Sequence, residues 1–286
     1  MTIKTVTLGG DDLVVEVVPS IGARIHRIRA FGSELLRTPK DVSRHVDDPW
    51  FWGSYPLAPW CNRLPTTPIA VEGRTVALRP NFPDGTAIHG QVAQAAWTDD
   101  RGGRFSILAG GDGWPWTYRV DQAIDVEPGR LSIALRLENR AATSMPAGLG
   151  IHPWFRDPVD VSIRAATVYP SNLDPGSPPV AVSGDLDRRS PGPLAIGVDA
   201  TWTDLEDPPI VLEWPGVRAT IETSPGARYV VAAHLPGVDA TAVEPETHAP
   251  GGLQRLLAGQ PGGLALLAPG DSLELIVTLR IERTDT

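Results

Sequence analysis

Residues 131–138 (LSIALRLE) alternate large apolar side chains with small, polar or charged ones at nearly every step. The same period of two returns near the C-terminus in residues 273–281 (LELIVTLRI). Successive side chains of a β-strand point to opposite faces of the sheet, so this period gives one buried and one outward face. Both stretches therefore predict half-buried antiparallel strands.

Similar strand signals occur along most of the chain, separated by turns rich in glycine, proline and aspartate. They are residues 13–18, 73–78, 104–108, 117–124, 210–214, 217–222 and 228–234. Helix signals are sparse, because the best candidate, residues 253–258, runs into Gly259 and Pro261. Residues 171–197, rich in proline and glycine, are interpreted as an irregular excursion between strands. The sequence predicts an all-β fold, a large antiparallel β-sandwich with little helix, as a single domain spanning residues 1–286.

Composition limits the classes of protein that the chain can represent. With 286 residues, 42% hydrophobic and 21% charged, it can fill a sizeable core and does not resemble a disordered chain. Its net charge of −9 argues against a nucleic-acid partner, because neutralising phosphates needs a basic surface. Cys61 is the only cysteine, which excludes an intrachain disulfide and a cysteine-ligated zinc site. We expect Cys61 to be a small buried apolar residue.

Targeting signals are absent from the sequence given. The first residues do not read as a signal peptide, and no apolar run approaches the roughly 20 residues of a membrane helix. The expectation is a cytoplasmic protein, monomeric or homodimeric, with no membrane partner.

Two segments far apart in the chain carry groups suited to proton transfer. Residues 150–155 (GIHPWF) hold His152 between an apolar stretch and a proline, and residues 241–247 (TAVEPET) end an apolar run at Glu244. Burial there would raise the pKa of Glu244 toward that of a general base. The alternative is a surface glutamate at a strand end. Glu246 is interpreted as a decoy, because Pro245 should bend the chain.

A proline-rich and aromatic-rich segment, residues 51–65 (FWGSYPLAPWCNRLP), is suited to the wall of a polar-ligand pocket. Its three prolines should exclude a regular central strand. Arg63 at its end would offer forked donors to hydroxyl groups. Equally, the aromatics could fill the core and Arg63 could pair with a surface acid. Among the six histidines, His89, next to Gly90, and His152 stand out as candidates for binding or catalysis.

In series, these segments resemble the ordered motifs of the aldose 1-epimerases, the galactose mutarotase-like proteins. The resemblance covers nearly the whole chain; it is carried by residues 18–24 (VPSIGAR), 56–63 (PLAPWCNR), 89–90 (HG), 152–155 (HPWF), 198–202 (VDATW) and 244–246 (EPE). Two residues depart from the family pattern. Arg156 stands where asparagine is common, and Glu246 stands where glutamine is usual.

The resemblance implies the interconversion of α and β anomers of an aldose, with Glu244 as base and His152 as acid. It further implies that Arg63, His89 and Asp199 bind the sugar, and that no cofactor or metal takes part. Trp154, with Trp52 and Trp60, is expected to wall the pocket. The partner is then a small sugar.

Two other functions remain open. One is an epimerase for an anionic sugar such as a phosphate, sulfonate or uronate, which would need extra cations; Arg156 and the pair Arg188 and Arg189 are the candidates. The other is a non-catalytic carbohydrate-binding or sensor protein on the same scaffold. Retention of both His152 and Glu244 weighs against the latter, because binding alone needs no acid and base.

Overall fold

The computed structural model describes residues 3–174 and 176–285. About 51% of the chain is strand and about 5% is helix, which confirms the predicted all-β class with little helix. Among these residues no helix has the length and apolar character needed to cross a membrane.

The strands of the first half of the chain are mostly short. They are β1 (Val6–Gly10), β2 (Leu13–Val18), β3 (Arg24–Ala30), β4 (Ser33–Glu34), β5 (Ser54–Leu57), β6 (Arg63–Leu64), β7 (Ile69–Val71), β8 (Arg74–Val76), β9 (Ala87–Ile88), β10 (Thr98–Arg101), β11 (Arg104–Gly111), β12 (Trp114–Glu127) and β13 (Arg130–Asn139). The second half contains β14 (Met145–Ala147), β15 (Gly150–Arg156), β16 (Asp160–Tyr169), β17 (Val180–Ala181), β18 (Asp199–Trp214), β19 (Val217–Thr223), β20 (Tyr229–Ala233), β21 (Ala240–Glu246), β22 (Ala265–Leu267) and β23 (Ser272–Arg283). The helical elements are α1 (Arg44–Asp47), α2 (Gly252–Leu257) and a 3-10 turn at Gly184–Leu186.

One antiparallel sheet of seventeen strands forms the body of the molecule. From its first edge the strands run β1, β2, β3, β5, β15, β21, β20 and β18. From β18 the sheet continues through β19, β23, β13, β12, β11 and β10. The long strand β18 joins the two halves, because its first residues pair with β20 and its last with β19.

The sheet curls so that β12 approaches β1 and β2, which encloses the apolar faces of both halves in one core. Residues 131–138 behave as their alternation predicts: Leu131, Ile133, Leu135 and Leu137 are buried, and the residues between them are partly exposed. Strand β21 departs from this pattern, because all seven of its residues are buried. Both faces of β21 are therefore covered, and polar side chains on this strand are removed from bulk water.

The helix candidate at residues 253–258 corresponds to α2, and among the described residues of 171–197 the regular elements are β17 and the 3-10 turn. The expectation for residues 51–65 was wrong in part. Four of them form β5, which pairs with β15 on one side and with β3 on the other. On the β3 side, β5 pairs through Ser54 alone. Pro56 lies beyond this pair, so its missing N–H removes no hydrogen bond between β5 and β3.

Candidate active site

His152 and Glu244 lie on neighbouring central strands, β15 and β21. The register pairs Gly150 with Glu246 and Trp154 with Ala242, which brings His152 opposite Glu244. The distance from His152 Nε2 to Glu244 Oε1 is 3.3 Å, and both residues are buried. His152 lies inside β15, and Pro153 after it does not end the strand. Two groups capable of proton transfer are therefore held in contact by the sheet itself.

One pocket collects the residues that the sequence analysis named for catalysis and binding. Its polar lining includes Arg63, His89, His152, Asp199 and Glu244. Aromatic side chains form much of the remaining wall: Trp50, Phe51, Tyr55, Phe82 and Trp154. The five side chains implied by the resemblance thus meet in one place, although their roles stay predictions.

Two of the three tryptophans expected in the wall lie elsewhere. Trp60 packs in the core with its ring centroid 5.0 Å from that of Trp114, and Trp52 lies beneath Arg37 with its indole nitrogen donating to Asp48. Trp50, which lines the pocket, lies just before the proline-rich segment 51–65. Because an irregular segment lacks a fixed period, the sequence could not tell which of its aromatics face inward.

Arg63 combines the two roles that the sequence left open. It lines the pocket, and its Nε donates to Asp84 Oδ2 at 2.7 Å, while its NH1 lies 3.8 Å from Asp199 Oδ2. Asp199, the first residue of β18, accepts a hydrogen bond on Oδ1 from Asn172 Nδ2 at 2.5 Å. Burial raises the pKa of Asp199, while Asn172 and Arg63 oppose that rise. Asn172, buried in the irregular excursion, orients the aspartate and was not identified from the sequence.

The tautomer of His89 follows from its backbone neighbours. The N–H of Asn62 donates to His89 Nδ1 at 3.2 Å, so the neutral ring carries its proton on Nε2. Burial, with the charge of Arg63, lowers the pKa of His89 to about 3, which keeps the ring neutral. His89 has a left-handed backbone with φ of 60°, and Gly90 follows it where a Cβ would lie 1.9 Å from the Ala58 carbonyl oxygen. The close approach of Gly90 to Ala58 holds His89 over the pocket.

Burial shifts the pKa values of the central pair in opposite directions. It raises the pKa of Glu244 well above its usual range, with Glu246 and Asp199 adding to the rise and Arg63 opposing it. It lowers the pKa of His152 well below its usual range, with His89 and Arg24 adding to the fall. Both shifts favour uncharged forms, so the pair favours a single titratable proton, which lies on Glu244 while the His152 ring is neutral.

The expectation that Pro245 bends the chain and turns Glu246 away from Glu244 was wrong. Strand β21 continues through Pro245, so Glu246 lies on the same face as Glu244 and opposite Gly150. Its side chain is fully buried, and neither carboxyl oxygen has a hydrogen-bond partner among the described residues. Burial therefore raises its pKa well above the usual range. Because β21 remains extended through Pro245, the period of two places the side chains of Glu244 and Glu246 on one face.

The three cations considered for an anionic sugar do not line the pocket. Arg188 donates to the carbonyl oxygens of Val161 and Gly192, and Arg189 pairs with Asp187. Arg156 is exposed at the end of β15. The neighbouring Asp157 does not serve as its partner, because that carboxylate interacts with His234 and Thr241.

His89, His152 and Glu244 bring three possible metal-ligand atoms within 4.8 Å of one another. The donor chemistry does not suit a cation. His89 Nδ1 already accepts the Asn62 N–H, and Nε2 then carries the proton, so neither nitrogen offers a free lone pair. Coordination would require His89 to give up the bond that fixes its ring.

Known proteins share this fold over nearly its whole length. A solved structure of a candidate aldose 1-epimerase from Escherichia coli K12 matches with a TM-score of 0.84 at 24% identity, covering 99% of this chain and 100% of that one. The GalM/aldose epimerase homologue from C. elegans matches with a TM-score of 0.82 at 15% identity, covering 99% and 100%. These likenesses define the fold class as galactose mutarotase-like.

Sequence comparison identifies the family. The family profile described as aldose 1-epimerase matches residues 4–183, more than half of the chain. The chain belongs to the aldose 1-epimerase family, which is a family of isomerases. The Escherichia coli K12 protein YphB, itself uncharacterized, is 27% identical over 252 residues, which cover 80% of this chain and 83% of that protein.

Proposed function

We propose that this protein is a mutarotase that interconverts the α and β anomers of a free, neutral aldose. The observation that carries the proposal is the contact between His152 Nε2 and Glu244 Oε1, 3.3 Å apart, in a pocket with aromatic walls. A pyranose ring has apolar faces that suit such walls and a rim of hydroxyl groups. Arg63 and Asp199 offer a donor and an acceptor for those hydroxyls.

In the reaction, Glu244 takes the proton from the C1 hydroxyl while His152 gives a proton to the ring oxygen. The C1–O5 bond breaks, the electron pair on O1 forms the aldehyde carbonyl, and the ring opens. Rotation about C1–C2 presents the other face of the aldehyde to O5. Ring closure then returns one proton to His152 and the other from Glu244 to O1. Both groups finish as they began, so the cycle needs no redox step and no external reactant.

The proton balance of the pair suits this cycle. The reaction needs one proton on the two groups together, and the resting site favours that same count. Moving the proton across the 3.3 Å contact converts the neutral pair into the ionised pair, with Glu244 as base and His152 as acid. His89, with its proton on Nε2, can donate a hydrogen bond to an oxygen that gains negative charge. Each acid or base typically contributes about 10²–10⁴-fold to the rate.

The charges around the pocket favour a neutral substrate. Arg63 is the cation in the described pocket lining, and its guanidinium is already shared between Asp84 and Asp199. Asp84 and Asp199 thus place two acidic groups beside this cation. A phosphate, sulfonate or carboxylate on the sugar would therefore meet more negative than positive charge.

A non-catalytic sugar-binding protein is the weaker candidate. Hydroxyl groups can be bound by exposed polar groups at little cost, whereas burying a glutamate beside a histidine costs desolvation energy. A buried pair of glutamate and histidine is not needed to bind a sugar, whereas proton transfer requires an acid and a base in contact with the substrate.

The proposal is tested by measuring anomer exchange across a panel of neutral and anionic aldoses, using polarimetry and exchange NMR. We expect catalysed exchange of at least one neutral aldose and weaker action on anionic ones. Saturable sugar binding without catalysed exchange of any sugar would support the binding protein instead. A strong preference for an anionic sugar would support the second epimerase.

A further inference from the structure

The segment of residues 50–52, which carries the wall residues Trp50 and Phe51, is held by side chains that donate to its three consecutive carbonyl groups. The Trp50 carbonyl accepts from Tyr55 Oη at 2.8 Å and from Trp154 Nε1 at 2.6 Å. The Phe51 carbonyl accepts from Arg37 NH1 at 2.9 Å. The segment has no strand partner of its own, so these donors fix the position of its aromatic rings.

The Trp52 carbonyl accepts from Arg24 NH1 at 2.9 Å, and Arg24 is unusual among the arginines of this chain. It is fully buried at the start of β3, and its NH2 donates to the Ala93 carbonyl at 3.3 Å. One guanidinium thus ties the wall segment to the loop that follows His89. No acid lies within ion-pair distance of it among the described residues, and burial lowers the pKa of Arg24 to about 10.

The same guanidinium lies close to the proposed acid. Its central carbon is 4.3 Å from the centroid of the Tyr55 ring, and that ring lies 4.6 Å from the ring of His152. The strand register explains the contact, since Tyr55 in β5 pairs with His152 in β15. The positive charge is therefore no more than about 9 Å from the imidazole, across a buried aromatic ring.

We infer that Arg24 is a positioning residue of this site, which fixes the segment 50–52 that carries Trp50 and Phe51, and supplies a permanent positive charge behind Tyr55 that acts on His152. The inference rests on the proposed function for its kinetic consequences. A buried cation is costly without an acid partner, and two backbone carbonyls offset only part of that cost. The cost of burying this charge, together with its contacts to the Trp52 carbonyl and the Tyr55 ring, points to a role in the site.

Burial lowers the pKa of His152, and the positive charge of Arg24 lowers it further. A nearby cation disfavours protonation of His152, and the pKa of His152 is lowered first by burial, then by His89, then by Arg24. Other ionisable groups near the two side chains are Tyr55, Glu244 and His89 beside His152, and Asp48 and His45 beside Arg24. Removing the Arg24 charge should raise both apparent pKa values of the His152–Glu244 pair by about one pH unit at an effective dielectric constant near 20.

Two substitutions separate the two parts of the role. Arg24→Lys keeps the charge but offers one nitrogen in place of the two that bind the two carbonyls, whereas Arg24→Gln removes the charge as well. We expect a higher KM in both variants. We expect both limbs of the kcat/KM profile to move to higher pH by about one unit in Arg24→Gln only. Arg29→Gln, an exposed arginine on the same strand, is the matched control and should leave the profile and KM unchanged.

Direct measurements make the result independent of catalysis. NMR titration of the His152 ring measures the effect of the Arg24 charge on that ring. Sugar affinity, measured by tryptophan fluorescence, reports whether the pocket wall keeps its position. A ring that titrates alike in wild type, Arg24→Lys and Arg24→Gln would overturn the role of the charge. Unchanged KM and affinity in both variants would overturn the role in positioning. If Arg24→Gln does not fold, Arg24→Met, which fills the same space without charge, replaces it. Failure of the wild type to exchange anomers would count against the proposed function and leave both direct readouts intact.

Discussion

Replacing Glu246 by glutamine should change how folding stability depends on pH. The carboxyl group is fully buried and has no hydrogen-bond partner among the described residues, so its charged form is strongly disfavoured in the folded protein. Its pKa is raised well above its usual range. A group of this kind stabilises the fold fully below its unfolded pKa, about 4.3, and loses that contribution as pH rises toward the folded pKa.

The magnitude follows from the proton count. Above pH 4.3 the unfolded chain releases the Glu246 proton while the folded chain keeps it, which costs the wild type about 1.4 kcal/mol of stability per pH unit. Glutamine has the same shape and no proton to release. The stability of Glu246→Gln relative to wild type should therefore grow as pH rises above about 4.3, by up to about 1.4 kcal/mol per pH unit while the folded carboxyl stays protonated.

Equilibrium urea unfolding of both proteins at several pH values between 4.5 and 7 gives this difference directly. Glu222→Gln is the control, because the pKa of Glu222 is lowered by Arg280, and stability linked to it is lost only as pH falls. The two curves for Glu246→Gln and wild type should diverge, and those for the control should stay parallel. A constant difference between Glu246→Gln and wild type would show that Glu246 ionises normally, and the account of the buried strand would fail.

Three further substitutions test separate parts of the site. Gly150→Ala should destabilise the fold by about 1–3 kcal/mol in urea unfolding, because its Cβ would lie 2.7 Å from Cys61 Sγ; unchanged stability would refute this packing. Asn172→Ala should raise KM roughly tenfold with little change in kcat, because Asp199 loses a charge-assisted hydrogen bond; a loss confined to kcat would contradict a binding role. Arg156→Ala should leave kcat/KM for neutral aldoses nearly unchanged, and loss of a salt-sensitive preference for an anionic sugar would favour the other epimerase.

Strand positions were predictable wherever one face of a strand meets water. The alternation in residues 131–138 and 273–281 matches β13 and β23 because most of their outward residues remain partly exposed. Strands β15 and β21 carry the central pair and lack this signal, since nearly all their residues are buried. A strand covered on both faces is apolar on both, so its sequence shows no alternation of apolar and polar residues. Their pairing, and hence the contact of His152 with Glu244, needed the structure.

The pocket was predictable in its polar residues and less so in its walls. Histidine, arginine and carboxylate side chains close to glycine or proline stand out in the sequence. The resemblance to the aldose 1-epimerases then implied a role for each of the candidates among them. The supporting residues do not stand out. Arg24 binds a backbone carbonyl, Asn172 orients Asp199, and Trp50 turns its ring into the pocket. Each of these contacts joins residues that only the folded chain brings together.

The most direct test of the central claim compares anomer exchange by wild type, Glu244→Gln and Glu246→Gln on one neutral aldose. The two glutamates lie two residues apart on the same face of β21, and Glu244 alone lines the pocket in the described structure. We predict that Glu244→Gln lowers kcat by about 10²–10⁴-fold with sugar binding largely retained, because the amide cannot accept the C1 hydroxyl proton. The Glu246→Gln change should be mild. A harmless Glu244→Gln together with a damaging Glu246→Gln would contradict the assignment of the base and the mechanism built on it.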